Sequence, residues 1–294
     1  MHNVLESEHV PQQDATLVVS KPVSNGPFLS GNTEKHVAPT NNASPLQSKM
    51  ETTLAIASQT TLYYDIVSPY SWFGFEILLR YKARWPSVEF EFIPFSLGGV
   101  MQLAENQPTA RHPKKRIQIV KEIQFLKELY DVDIGYPKGN KSVFKEMVFI
   151  KKFRLPAVNP PCSTHTNDLR MQKSDKLEAV SRAFWKLYWR DEKSIISTQD
   201  LFTYLSPILG PEHAKNLIEV ESQTPEVKQE LTRVTKEAVE SYGSFGAPWI
   251  VCEREGRETM TFHGSDKVEA IALYFGLKYE GPRPPGYNNI QSKL

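Results

Sequence analysis

Thr61-Leu62-Tyr63-Tyr64-Asp65-Ile66-Val67-Ser68-Pro69-Tyr70-Ser71-Trp72-Phe73-Gly74-Phe75-Glu76 is the stretch from which the fold can be read. Thr61 to Val67 is dense in β-branched and aromatic side chains, which suit a half-buried pleated surface, so it is expected to form a strand. Ser68 then stands where a helix N-cap belongs and Pro69 at the first helical position, with helix expected from Tyr70 to Trp85. Val88-Glu89-Phe90-Glu91-Phe92-Ile93-Pro94-Phe95 alternates at period two and reads as a second strand. Two strands joined by a helix form a parallel βαβ unit with a right-handed crossover.

Outward from this unit the pattern changes. From Gly98 to Ser241 apolar residues recur at helical spacing, as in Ile117, Val120, Ile123, Leu126 and Leu129, or Val180, Phe184 and Leu187. Pro156, Pro160, Pro161 and Ser163-Thr164-His165-Thr166-Asn167 mark a loop in this block, and Thr198 is placed to cap a later helix. Beyond Gly243 strands return at Trp249 to Cys252 and Thr259 to Phe262 around a Glu255-Gly256-Arg257 turn, followed by a helix from Asp266 to Phe275. A βαβ start, a helical block and a ββα finish predict an α/β fold, a thioredoxin-like domain interrupted by an all-helical insertion. The expected parts are 59–97 (βαβ), 98–241 (insertion) and 242–280 (ββα).

The two ends differ in kind. Residues 1–58 contain one aromatic, Phe28, no Arg and many Ser, Asn, Pro, Thr and Gln, a composition expected to remain a disordered tail that contributes nothing to catalysis. It lacks the basic start and apolar centre of a secretory signal and the Arg content of a mitochondrial presequence, so the sequons at Asn42 and Asn140 read as chance. Residues 281–294 form a second tail ending Ser292-Lys293-Leu294, the tripeptide read by the peroxisomal import receptor. A peroxisomal protein is expected.

Composition narrows the classes of function. The 294 residues are 40% hydrophobic and 11% aromatic, and Lys+Arg 35 against Asp+Glu 34 leaves a net charge of +1, which argues against nucleic acid or anionic lipid as the main partner. No apolar run approaches the roughly 20 residues of a spanning helix. Cys162 and Cys252 are the two cysteines, too few and too unlike in context for a disulfide framework or a thiolate zinc site, and His112, His165, His213 and His263 lack metal-ligand spacing. No metal and no bound dinucleotide are expected. Trp185 and Trp189, four apart on a helix, read as core, and Lys114-Lys115-Arg116 as a solvated face.

Three short stretches have the residue types that chemistry needs, although each also serves a plain structural end. In Ser68-Pro69-Tyr70-Ser71 the free backbone N–H groups of a helix start stabilise an anion and a hydroxyl adds a donor. A C-x-x-C pair occupies this turn in thioredoxin-type proteins; with serines at both ends, dithiol exchange is excluded. A serine here suits another task, holding the sulfur of a bound thiol as thiolate. Lowering a thiol pKa from about 8.5 to about 6.5 raises the thiolate fraction at neutral pH from roughly 3% to roughly 75%, at a cost of about 2.7 kcal/mol. In Gly243-Ser244-Phe245-Gly246-Ala247-Pro248, Pro248 is expected to be cis, exposing the backbone of Ala247 to an extended peptide. In Phe262-His263-Gly264-Ser265-Asp266, Ser265 is placed to cap the last helix and Asp266 to sit in its first turn; the same pair suits the carboxylate and ammonium of a small peptide.

Tyr64 to Glu76 closely resembles the first motif of the kappa-class glutathione transferases, Y-D-x-x-S-P-Y-S-W-L-G-F-E. The resemblance continues in family order through Asn106-Gln107-Pro108, Tyr242 to Pro248, Gly264-Ser265-Asp266 and Gly281-Pro282, covering about residues 61–286. It implies glutathione as cosubstrate with no permanently bound cofactor, a homodimer, and conjugation of the glutathione thiolate to small electrophiles, with peroxide reduction as a second use of that thiolate. Carried over residue by residue, Ser68 is the catalytic serine and Pro69 and Tyr70 line its site. Asn106 contacts the peptide, the backbone of Ala247 binds its cysteinyl unit, Ser265 and Asp266 hold its γ-glutamyl end, and Lys115 is a further candidate for the glycine carboxylate. Phe73 and Ala247 depart from the family's common Leu and its bulkier residue before the proline. Bacterial 2-hydroxychromene-2-carboxylate isomerases resemble the same pattern, which leaves a glutathione-dependent isomerase as one alternative and a redox-inactive thioredoxin-like binding module as another.

Overall fold

The computed structural model describes residues 58–135 and 167–287. Cys162, the expected loop at 156–166, the tail before Ser58 and the terminal Ser292-Lys293-Leu294 lie outside them. Strand β1 (Ser58–Tyr64) is followed by α1 (Pro69–Lys82) and β2 (Val88–Pro94), and β1 pairs with β2 in parallel, Leu62 opposite Phe92. The βαβ expectation holds, with one shift: β1 starts and ends three residues earlier than its β-rich composition suggests. Asp65, Ile66 and Val67 form the turn instead. Asp65 accepts from Val67 N at 3.2 Å and from Leu97 N at 2.7 Å, which ties the turn to the start of α2 (Leu97–Leu103). Its burial outweighs these donations and pushes its carboxyl up to about 6. The folded state therefore holds this proton more tightly than the unfolded chain, and this one group disfavours folding as pH rises from about 4 through 6.

Strand β3 (Trp249–Glu253) pairs antiparallel with β1, and β4 (Met260–His263) antiparallel with β3, giving the sheet order β2-β1-β3-β4. Period-two alternation sends Leu62, Tyr64, Phe92, Ile250 and Cys252 to one face, where Phe75 and Leu78 of α1 and Ile271 and Phe275 of α8 (Val268–Phe275) cover them. Tyr63, Trp249 and Val251 point the other way, onto Val100 of α2 and Val234 and Ala238 of α7 (Pro225–Glu240). Helix α7 thus packs on the sheet, although its residues fall within the 98–241 stretch read as insertion. Two helix layers around a mixed sheet are the expected thioredoxin-like architecture.

The insertion comprises α3 (Pro113–Tyr130), α4 (Asn167–Trp185) with its π-turn extension Lys186–Arg190, α5 (Thr198–Leu209) and α6 (Pro211–Glu219). Ser197, rather than the expected Thr198, caps α5 by accepting from Asp200 N at 3.2 Å, and the helix begins one residue earlier than a cap at Thr198 would set it. Helix α4 is anchored to α1 by aromatic packing: Trp185 stacks on Trp72 at 6.0 Å and 3° and lies 5.0 Å from Phe75, while Tyr64 and Ser181 share a hydrogen bond of 2.7 Å. Trp185 and Trp189 are buried, as expected of core residues. Arg182 binds Glu76 through Nε and Nη2, at 2.7 and 3.0 Å, and Trp72 Nε1 donates to the same carboxylate at 3.2 Å.

Part of the segment expected as the C-terminal tail is packed. Tyr81 Oη donates to Gly281 O at 2.8 Å, Arg80 Nη1 to Pro282 O at 2.6 Å, and Trp85 Nε1 to Lys278 O at 3.2 Å, so two residues of the last turn of α1 and one just beyond it strap the chain down as far as residue 282. Among the described residues no helix is long and apolar enough to cross a membrane.

Candidate functional site

Ser68 caps α1 with an extended backbone (φ −92°, ψ 115°), and Pro69 follows at the helix start. Its Oγ accepts from Ser71 N at 3.1 Å and donates to Ala247 O at 3.1 Å, across 179 residues of sequence. The side chain of Ser71 is fully buried and accepts from Asp65 N at 3.5 Å. Ser71 therefore braces the turn, and Ser68 is the serine that faces the loop before β3. The Ala247-Pro248 bond is cis, as the sequence pattern predicts. Gly74, six residues past Ser68, lets α1 approach this proline: a Cβ there would stand 3.2 Å from Pro248 Cγ and 3.7 Å from Ser265 Cα. The start of α1 thus carries Ser68 to Ala247 and, through Gly74, lies against Pro248 and Ser265.

The remaining residues gather around the same loop. Asn106 Nδ2 donates to Phe245 O at 2.7 Å, and its Oδ1 accepts from Gln107 N at 2.7 Å. Asn106 is exposed, so it holds the loop two residues before Ala247 from the solvent side. Gly264 N donates to Pro248 O at 3.1 Å, which binds the β4–α8 turn to the proline. Tyr70 turns away from Ser68: its hydroxyl donates to Glu122 Oε2 at 2.6 Å on α3, and burial together with that carboxylate raises its pKa. Lys115 lies exposed in the first turn of α3.

Ser265 and Asp266 are not the cap and first turn of the last helix. Helix α8 starts at Val268, and Lys267 at its cap makes no side-chain bond to it. Gly264 causes the difference, because its φ of +103° swings the chain out of line with the helix for two further residues. Ser265, 3% exposed, is thereby released from capping and meets Tyr130, while the exposed Asp266 pairs with Lys267. A Cβ on Gly264 would also lie 2.7 Å from Asp266 Oδ1. Gly264→Ala is therefore expected to cost roughly 1 to 3 kcal/mol and lower the melting temperature by about 2 to 10 °C; a scanning-calorimetry trace matching the parent's would contradict the strained turn.

Two neighbours of the site carried little signal in the sequence. The His263 ring lies 4.8 Å from that of Phe245, with its Nε2 close over Gly246, and burial lowers its pKa against the pull of Asp266. Tyr130 follows Leu129, the last residue of the helical stripe, and nothing in its spacing points to Ser265. The Phe262-His263-Gly264 run was visible, but no spacing rule connects it with Phe245.

The only described cysteine, Cys252, is buried in β3, where burial pushes its thiol up to about 12. It is no nucleophile at neutral pH. Among the described residues no group of three or more His, Cys, Asp or Glu is placed to hold a metal ion.

Residues 59–276 match the model of the DSBA-like thioredoxin domain. Over 230 residues the chain is 36% identical to rat glutathione S-transferase kappa 1, spanning 77% of this chain and 95% of the relative. The chain belongs to the kappa-class glutathione transferases. Its identity to the human kappa 1 protein is 33% over 229 residues, with the same coverage of both chains. A solved 2-hydroxychromene-2-carboxylate isomerase matches with a TM-score of 0.55 at 15% identity, covering 74% of this chain and 94% of its own, a likeness of fold. In this kappa-class chain Ser68, Ala247, Asn106 and Ser265 surround one loop, and Tyr70 is the carried-over residue whose polar group is engaged elsewhere.

Proposed function

We propose that this protein binds glutathione as cosubstrate and adds its thiolate to small electrophiles. The observation that carries the reading is the Ser68 hydroxyl, held at the start of α1 by Ser71 N and donating to Ala247 O. An extended peptide laid along Ala247 takes that carbonyl for its own N–H, in the manner of an added strand. The Ser68 proton is then free to turn to the cysteinyl sulfur, whose negative charge also meets the N-terminal end of α1. Sulfur forms its bond to the electrophilic carbon as the leaving group departs with its electron pair, and the thiol proton has already passed to solvent. Ser265 and Asp266 take the γ-glutamyl carboxylate and ammonium, and Asn106 holds the loop in place. Conjugation of a generic aryl halide, measured with and without glutathione, tests this: turnover is expected only with it, and equal rates in both would refute it.

The kappa-class relationship and the exposed apolar side chains of α3, Ile117, Phe125 and Leu129, support a homodimer. The terminal Ser292-Lys293-Leu294 supports recognition by the peroxisomal import receptor and residence in the peroxisome. A fluorescent fusion keeping this C-terminus is expected to collect in peroxisomes and one lacking Leu294 to remain diffuse; diffuse signal from both would refute the address.

A further inference from the structure

Asp65 is 6% exposed and stands three residues before Ser68. All of its polar atoms are engaged with the turn or with α2. Its carbonyl accepts from Ser68 N at 3.1 Å, its N–H donates to Ser71 Oγ at 3.5 Å, Oδ1 accepts from Val67 N at 3.2 Å, and Oδ2 accepts from Leu97 N at 2.7 Å. Leu97 is the first residue of α2, so its N–H has no partner within the helix, and the carboxylate satisfies it. From there the contacts return to Ser68. Asn106 N donates to Met101 O of α2 at 2.9 Å, Asn106 Nδ2 holds Phe245 O at 2.7 Å, and two residues on Ala247 O accepts from Ser68 Oγ at 3.1 Å. Both members of the Ser68–Ala247 contact are thus held from one carboxylate.

We infer that Asp65 is a positioning residue for Ser68: by joining the turn to α2 it fixes the gap between Ser68 Oγ and the backbone of Ala247, along which the peptide is laid. The hydroxyl has to reach Ala247 O in the free protein and the cysteinyl sulfur in the complex, and such a bond weakens steeply once its angle falls below about 120°. A carboxylate suits this task where an amide does not. It presents an acceptor to each of the two N–H groups, whereas asparagine in the same rotamer turns its NH2 toward one of them. The protein keeps this charge buried at a cost in stability, as the raised pKa of Asp65 records, and keeps it beneath the serine that carries the chemistry. The inference rests on the transferase reading and deepens it by naming what holds the reactive hydroxyl at its distance from the peptide.

Ultraviolet titration of bound glutathione thiolate and steady-state conjugation of an aryl halide test it, each protein being measured at a temperature where circular dichroism shows it folded. Asp65→Asn is expected to raise the midpoint of the bound thiol by about one pH unit and to lower kcat at neutral pH about tenfold, with KM for glutathione within about threefold. In a Ser68→Ala background the same change is expected to lower kcat by less than about a further twofold, because Asp65 acts through that hydroxyl. Leu97→Pro removes the N–H that meets Oδ2 and keeps the helix start, since proline suits the first helical position and Ser96 before it is already extended (φ −99°, ψ 104°). It is expected to move the midpoint the same way by at least about half a unit, and each variant decides the matter should the other not fold. Glu76→Gln, which lowers stability without touching the turn, is expected to leave the midpoint unchanged. An unchanged midpoint in either Asp65→Asn or Leu97→Pro, a full additional loss in the Ser68→Ala background, or an equal shift in Glu76→Gln overturns the inference. A parent that neither binds nor turns over glutathione overturns the transferase reading, and this inference with it.

Discussion

Ser68→Ala is expected to slow conjugation by roughly 10- to 150-fold, the rate equivalent of the 1.5 to 3 kcal/mol that a hydrogen bond to a charged acceptor is worth. Glutathione binding is expected to weaken much less, since the peptide is held mainly by the Ala247 backbone and by Ser265 and Asp266. The pH-rate profile should move alkaline by about one to two pH units, because a thiol without its donor ionises later. Ser68 also caps α1 through Ser71 N, so alanine should lower stability by about 1 kcal/mol as well. The two roles separate in the kinetics. A variant that melts a few degrees lower but turns over and titrates like the parent would leave Ser68 only the cap.

The second large effect concerns the buried carboxylate on the same helix. Glu76 and Arg182 are 9% and 11% exposed in their side chains, and Arg182 grips the carboxylate bidentately while Trp72 Nε1 donates to it. Breaking such a pair by neutralising one partner costs about 3 to 5 kcal/mol, because the other charge stays out of water. Glu76→Gln should fall at the low end, since one amide oxygen still accepts, giving a melting temperature lower by roughly 6 to 12 °C for a domain of this size. Replacing both partners, Glu76→Leu with Arg182→Met, should recover most of the loss. A Glu76→Gln protein melting within about 2 °C of the parent would show that the pair does not anchor α4 on α1.

These two residues mark what a sequence shows and what it hides. Ser68 is legible because a cap followed by proline is a local signal, and the cis Ala247-Pro248 bond because it precedes a strand in a recognisable order. The Glu76–Arg182 pair is not, since 106 residues separate its members and no local spacing links them. Ser265 and Asp266 were legible as residues but misread in structure: the positive φ of Gly264 delays α8 and frees both side chains from capping. Helix α7 looked like the insertion because its apolar positions are helical like the rest. Only Val234 and Ala238 meeting Tyr63 and Val251 place it on the sheet. Helical periodicity says that a face is buried and leaves open what buries it.

The central claim is that Ser68 lowers the pKa of a bound thiol, and the most direct measurement is an ultraviolet titration of glutathione thiolate in complex with the parent and with Ser68→Ala. The account predicts a bound thiol ionising about two pH units below its free value in the parent, with the variant's midpoint about one to two units higher than the parent's. Coincident midpoints, with glutathione bound to both proteins, would contradict it.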